Sequence, residues 1–257
     1  MAISRAQLVK ELEPGLNALF GLEYKNYANE HSQIFDTENS DRAFEEEVML
    51  SGFANAQVKV EGSGVSFDQA QETYTALYTH DTIALAFAIT EEAIEDNLYD
   101  RIASRYTKAL ARSMSNAKQV KAVTPLNNGL SSVATFNSGD GVSLFSTNHT
   151  TVSGTAVKNT LTTQADLNET SLEQALIDIA GMTDERGLRV AARGMKMIIP
   201  SANQFNAERL TKSQGRTGTA DNDINASVSM GMIPQGYRVN NYLTDTDSWY
   251  IITDVPN

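Results

Sequence analysis

The chain predicts an α+β fold organised around one long helix. Three observations carry that expectation. Ile83, Leu85, Phe87 and Ile89 recur at period two, the alternation of a strand. At Thr90 the pattern changes, and Glu91, Glu92, Glu95 and Asp96 follow, acids placed where a first turn's dipole and unpaired amides favour negative charge. After residue 123, short helical and strand signals alternate to the end of the sequence.

Residues 1–40 read as an N-terminal arm. Ser4 and Gln7 have capping-box spacing for a short helix that ends before Pro14. A second helical piece sets Leu16, Leu19, Phe20 and Tyr24 on one side, and periodicity is lost from Asn26 to Ser40. Apolar side chains on such an arm must pack on something. That could be another subunit or, as a helical hairpin, the arm's own domain; the sequence leaves both open.

Residues 41–90 read as an extended loop of two strand regions. Phe44–Phe53 runs out, Gly62-Ser63-Gly64 lies in a polar tip, and Glu72–Thr90 returns, broken near His80-Asp81. A two-stranded hairpin cannot cover both its faces and is marginal alone. Phe44, Val48 and the tip at Gly62 and Gly64 are therefore expected to contact a neighbour.

Residues 91–122 read as a spine helix. Ile94, Leu98, Ile102, Leu110 and Met114 form its stripe, with Tyr106, Ala109 and Ala117 at the edges. About thirty helical residues span roughly 45 Å. Val123-Thr124-Pro125 is expected to end the helix.

Residues 123–240 read as a compact α/β region. Thr170 and Glu173 suggest a capping box before Leu172, Leu176 and Ile179, with Gly187 just past the helix end. Met195–Ile199 between Gly194 and Pro200 reads as a buried strand. Ser201 and Gln204 open the next helix, which carries Phe205, Ala207 and Leu210. Thr211–Ala226 is polar and expected to be mobile. Tyr237–Leu243 and Trp249–Thr253 predict a hairpin, with residues 241–257 forming the chain's final segment.

Composition narrows the function. The formal net charge is −12, unevenly spread. Residues 1–100 hold 19 acids and 5 bases, whereas 101–121 hold 6 bases and no acid. Any contact with nucleic acid must therefore be local. No apolar run approaches the roughly 20 residues of a membrane helix, and the N-terminus has no secretory signal core. There are no cysteines, which rules out disulfides and thiolate chemistry. The sequons at Asn148, Asn168 and Asn225 are expected to be coincidences.

Enzymatic constellations are missing. His31, His80 and His149 stand in separate segments without metal-ligand spacing, and no G-x-S-x-G elbow accompanies Ser146 and His149. Gly62-Ser63-Gly64 lacks the lysine and helix of a phosphate loop. Asp221-Asn222-Asp223 opens like a calcium loop. It then offers Ala226 where glycine is needed and Met232 where a bidentate glutamate is needed. No catalytic residue, metal or cofactor is expected.

One charged feature stands out. Arg101, Arg105, Lys108 and Arg112 are spaced 4, 3 and 4, on one side of the helix. The stripe could face phosphates, or it could pair with carboxylates such as Glu45-Glu46-Glu47.

Two phrases carry a family resemblance, Thr90–Asp100 (T-E-E-A-I-E-D-N-L-Y-D) and Gly139–His149 (G-D-G-V-S-L-F-S-T-N-H), with Met195–Leu210 in support. Through them the chain resembles tailed-phage major capsid proteins of the Hong Kong 97 fold, most of all Mu-like prophage major head subunits. The resemblance implies that 1–40 is the N-terminal arm, 41–90 the extended loop, and 91–122 the spine helix of a peripheral domain. It implies that 123–240 is the axial domain and that 241–257 returns to the peripheral domain.

It further implies a shell subunit that assembles into hexamers and pentamers around double-stranded DNA, formed in a host bacterial cytoplasm and found in the virion. Separate scaffold, protease and portal proteins would take part, since the arm has no room for a scaffolding segment. The sequence ends directly after a strand where family members continue, which implies a piece of a longer chain or a sheet closed by another chain. Lys59 is the loop's one lysine, but no asparagine can be matched to the family's cross-link acceptor, so no cross-link is expected. A cellular nanocompartment shell on the same fold is the alternative, and a cytoplasmic hydrolase with an unrecognised site is a third reading.

Overall fold

A computed structural model describes residues 16–88, 99–133, 139–216 and 223–255, with the side chains of the long helix from Ile102 onward. The Ser4–Gln7 box, the acidic helix start at residues 91–96, Ile89, Ile94, Leu98, the Arg101 side chain and Asp221-Asn222 lie outside these residues. Contacts divide the chain into two compact units. One takes in the chain up to Thr37 with Asp81–Val123, the other Glu38–His80 with the chain from Thr124 on.

In the first unit, residues 16–25 are helical (α1), with the Phe20 and Tyr24 rings stacked at 5.8 Å. A 3₁₀ turn follows at Glu30–Gln33. The long helix α2 runs from Tyr99 to Asn127; its residues up to Val123 belong to this unit and its last turn, from Thr124 on, to the second. Its buried line is Ala103, Thr107, Ala111, Ser115, Gln119 and Val123, not the larger residues the periodicity favoured. Each step of four residues advances by about 40° around the axis, so this line winds around the helix. Its small residues permit close approach, and Ile102, Leu110 and Met114 flank it half-buried. Tyr106, expected at the edge of the stripe, is 56% exposed.

Gln119 is fully buried and ties the arm to α2. Its Oε1 accepts from the His31 backbone N–H at 3.0 Å and lies 3.2 Å from His31 Nδ1, while its Nε2 donates to the Ala28 carbonyl at 3.4 Å. A buried amide is tolerable only with its partners in place, and here the arm supplies them.

Residues 81–88, expected as strand, form none. A strand needs a partner, and no described segment of this unit is a strand. Phe87 instead tilts its ring against Tyr106 at 6.0 Å.

The helix also outruns its expected stop. Pro125 lies inside it, near the end, where the missing N–H removes one bond only. The last carbonyls find other donors: Thr124 O accepts from Asn128 N–H and Nδ2, and Leu126 O from the Tyr250 hydroxyl at 3.0 Å. Asn127 adds two bonds, Nδ2 to the Tyr242 carbonyl and Oδ1 from the Thr244 N–H, both at 3.1 Å.

Beside the two-stranded ladders of β1 (Phe44–Leu50) with β2 (Glu72–Thr79) and of β3 (His149–Thr150) with β4 (Ala156–Val157), the second unit is arranged around a three-stranded sheet. Its central strand β5 (Gly194–Ile199) buries Met197, Ile198 and Ile199 almost completely, as the apolar run predicts. The expected hairpin of the last two strands does not form. β6 (Tyr237–Val239) pairs parallel to β5 on one side, and β7 (Tyr250–Thr253) pairs antiparallel on the other. The strand buried on both faces takes the centre and separates them.

Helix α3 (Glu169–Ala180) lays Leu172 and Leu176 on the sheet, and α4 (Gln204–Lys212) adds Ala207 and Leu210; with Leu167, Met197 and Ile199 they make the core. Gly194 is what lets α3 so close: a Cβ there would stand 2.9 Å from Leu176 Cδ2. The capping box of α3 is Asn168 with Ser171, not Thr170 with Glu173. Asn168 Oδ1 accepts the Ser171 N–H at 2.9 Å, and Ser171 Oγ accepts the Asn168 N–H at 3.0 Å. Gly187 lies beyond the true end, where Gly181 is the cap.

Phe205 is 75% exposed, so only part of the expected α4 stripe faces the core. In the Thr211–Ala226 stretch, Gly215 bridges Ile224, and Asn225 caps the short helix α5 (Ala226–Ser229) through Val228 N–H. Two of the three sequons thus supply helix caps, a use that needs no sugar.

Candidate functional site

The hairpin of residues 38–80 combines a well-held root with an apolar surface that its own unit leaves open. β1 (Phe44–Leu50) pairs antiparallel with β2 (Glu72–Thr79), from Phe44 opposite Thr79 to Leu50 opposite Glu72, with a bulge after Val48. Both regions are shorter than expected, ending at Leu50 and Thr79. Beyond the ladder, Ser51 N–H reaches the Gln71 carbonyl at 2.9 Å, and Gln71 N–H reaches Ser51 Oγ. Asp68 receives the Ala54 and Gln69 amides, which hold its carboxyl below the usual range. The chain reverses at Gly62, whose φ of +83° suits only glycine without strain.

Apolar side chains project along the whole hairpin. Phe44, Val48, Leu50 and Leu77 are exposed on the ladder, and Val58 and Phe67 reach 94% and 97% exposure in the tip. Gly62 and Gly64 have open space around them. On the arm, Leu16, Leu19 and Phe20 are half-buried.

The root rests on the turn Asp184–Leu188 and on the Gly139–His149 segment. Asp184 Oδ1 accepts the Arg186 and Leu188 amides, and Gly187 has a φ of +84°. This turn presents two side chains. Arg186 donates from Nε to the Gly52 carbonyl at 3.1 Å and from Nη2 to the Gln69 carbonyl at 2.6 Å, so one guanidinium spans both legs. Glu185 accepts the Tyr74 hydroxyl at 3.1 Å and the Val152 N–H at 3.1 Å. The Tyr74 ring lies over Gly139, where a Cβ would stand 2.7 Å from Cδ2. Asp140 Oδ1 accepts the Val142 N–H, and Oδ2 lies 2.7 Å from His149 Nδ1.

Burial and the Glu185 carboxylate, with a smaller effect from Asp140, push the Tyr74 hydroxyl up to about 12. A proton bound more tightly in the folded state stabilises it fully below the ordinary value near 10, and that contribution is lost as pH rises towards 12. Stability should therefore fall between pH 10 and 12, and Tyr74→Phe should flatten part of that slope. Paired denaturant titrations across this range measure the difference.

The basic stripe is partly described. Arg105, Lys108 and Arg112 are exposed on α2 and form no ion pair with another described residue. Of the candidate carboxylates, Glu45 is engaged by Ser40 and Arg42, and Glu47 sits beside Tyr78.

His149 and Asp140 form a half-buried pair, but His149 Nε2 has no partner among the described residues, and Ser146 Oγ accepts instead from the Asn148 N–H. Among the described residues no cluster of His, Asp and Glu could hold a metal, and no helix is long and apolar enough to cross a membrane. A groove of about 530 Å³ lies beside Leu126, Phe145, Leu161, Trp249 and Tyr250, with the Lys158–Asp178 ion pair among its lining residues.

The described residues thus form a mixed α+β chain whose hairpin is anchored at its root and exposes apolar side chains along its length. The chain belongs to the phage capsid protein family, whose model matches residues 73–256. It is similar in fold to a chain from the procapsid of bacteriophage JBD30, with a TM-score of 0.63 at 13% identity, covering 94% of this chain and 100% of that one. It is also similar to a chain from the capsid of bacteriophage JBD30 decorated with minor capsid protein trimers. There the TM-score is 0.57 at 13% identity, covering 95% of this chain and 100% of that one. No curated protein matches it. The role that goes with this family is that of a major capsid structural protein and not of an enzyme, so the hydrolase reading falls.

Sequence reasoning pointed to the hairpin and missed its anchor. The sequence singles out neither Glu185 nor Arg186, because nothing in a local pattern reveals a partner more than a hundred residues away.

Proposed function

We propose that this protein is a shell subunit of the Hong Kong 97 fold, of the Mu-like kind, assembling as hexamers and pentamers around double-stranded DNA in the host bacterial cytoplasm. In this reading, residues 1–40 are the arm, 41–90 the extended loop, 91–122 the spine, 123–240 the axial domain and 241–257 the return to the peripheral domain. Leu16, Leu19, Phe20, Phe44, Val48, Gly62 and Gly64 meet adjacent subunits. Scaffold, protease and portal functions come from other chains.

The observation that carries the reading is the apolar hairpin, held at its root and exposed on the tip. An isolated chain gains nothing from leaving such surface in water. The phage family favours a genome-enclosing shell over a nanocompartment around a cargo enzyme. Electron microscopy of the purified chain, co-expressed with the scaffold from its own gene cluster, is the test. Closed icosahedral shells are expected, and a uniform monomer under those conditions overturns the reading.

The stripe Arg101, Arg105, Lys108 and Arg112 faces packaged DNA in this reading. Arg105→Gln with Arg112→Gln should leave empty shells intact and lower genome retention. The deficit should be largest at low salt and shrink as salt rises, because phosphate contacts weaken steeply with ionic strength. Failure of shell assembly in the double variant would instead assign the stripe to subunit contacts.

A further inference from the structure

We infer that the Asp184–Leu188 turn and the Gly139–His149 segment form a seat that sets the direction of the hairpin. The role of that direction in shell building rests on the reading above. Three observations converge on the seat. The β1–β2 ladder stops at Leu50 and Glu72, and the 19 residues from Gly52 to Ala70 carry no ladder of their own. The hairpin is free to swing at the point where the ladder ends, unless something else holds it.

Arg186 acts at that point. Its fork reaches Gly52 on the outgoing leg and Gln69 on the returning leg, just beyond the last paired residues. A guanidinium has the planar, spread donors for two separate carbonyls, which an ammonium lacks. Its own turn is fixed by two bonds to Asp184 and by the positive φ of Gly187. The fork is therefore presented by a rigid base.

Tyr74 supplies the second hold, on the ladder side of the stop. Its ring is laid on Gly139 and its hydroxyl is fixed by Glu185, which also takes the Val152 amide. Two holds on either side of one hinge define an angle, where a single hold would allow rotation. The phrase Gly139–His149 thereby acquires a physical reason. Gly139 makes room for the ring, and the half-buried Asp140–His149 pair, 2.7 Å apart, stiffens the segment beneath it. Arg186, Glu185, Tyr74 and Gly139 are positioning residues for the hairpin.

The chain's lack of cysteine permits a clean test. Spin labels at Gly64→Cys in the tip and Ile177→Cys on the exposed side of α3 report the hairpin's direction in the free subunit. The parent should give one narrow distance distribution. Arg186→Ala and, separately, Tyr74→Phe should each broaden it by about twofold or more while the circular dichroism spectrum stays unchanged. Arg186→Lys should not restore the narrow distribution, because a point charge cannot span both carbonyls. An unchanged width in Arg186→Ala and Tyr74→Phe overturns the seat, as does full rescue by lysine. Shell formation is scored separately. If the parent builds no shells, the assembly reading fails while the label distances still decide the seat. If the broadened variants build shells of parental size and yield, the seat does not direct assembly and that half of the inference is overturned.

Discussion

Leu172→Ala should lower the stability of the second unit by about 2–5 kcal/mol, the range for removing a buried leucine side chain where the surroundings cannot collapse. Collapse is hindered here. Leu172 is fully buried among Leu167, Leu176, Met197 and Ile199, and α3 is already as near the sheet as Gly194 permits. For a unit of this size the loss should appear as a fall of about 5–15 °C in melting temperature. A fall of less than about 2 °C would mean that the core is looser than this packing. Ile177→Ala, on the same helix but 64% exposed, is the matched control and should change little.

The second large effect should appear in assembly and leave the fold alone. Val58 and Phe67 touch almost nothing in their own subunit. Changing both to serine should leave melting temperature within about 2 °C of the parent, as exposed substitutions do. In shells the same residues are expected to be buried, and each large apolar side chain moved out of water contributes roughly 1.5–3 kcal/mol. A shell repeats that loss in every subunit, so closed particles should disappear from micrographs and sedimentation profiles. Normal particles from the double serine variant would remove the tip from the subunit contacts.

Much of the architecture was legible because it rests on local pattern. Met195–Ile199 is a short run, apolar but for Lys196, between glycine and proline, and it became the central strand. The hairpin announced itself through two strand regions around a glycine-bearing tip, and β1 and β2 follow it. What failed needed information from elsewhere in the chain. Residues 237–253 read as a hairpin because near neighbours usually pair, yet β5 outcompeted the local partner with a face buried on both sides. Pro125 read as a stop because one donor to the last carbonyls, the Tyr250 hydroxyl on Leu126, comes from more than a hundred residues later. On α2 the large residues drew attention, while the buried line is mostly of small ones that a hydrophobicity count ignores. The hairpin's seat left no local trace, since an arginine in a turn reads as solvated until its carbonyl partners are known.

The strand order β6-β5-β7 also has a consequence in time. β5 leaves the ribosome with both edges unpaired, and β7 arrives more than fifty residues later. At roughly 5–20 residues per second that interval is several seconds. During it, the most apolar strand of the chain offers a bare edge of the kind that recruits other chains. A nascent subunit is therefore most prone to misassembly late in synthesis. Mutations that slow delivery of Tyr250–Thr253, such as rare codons over residues 240–250, should raise the insoluble fraction without altering the protein that does fold.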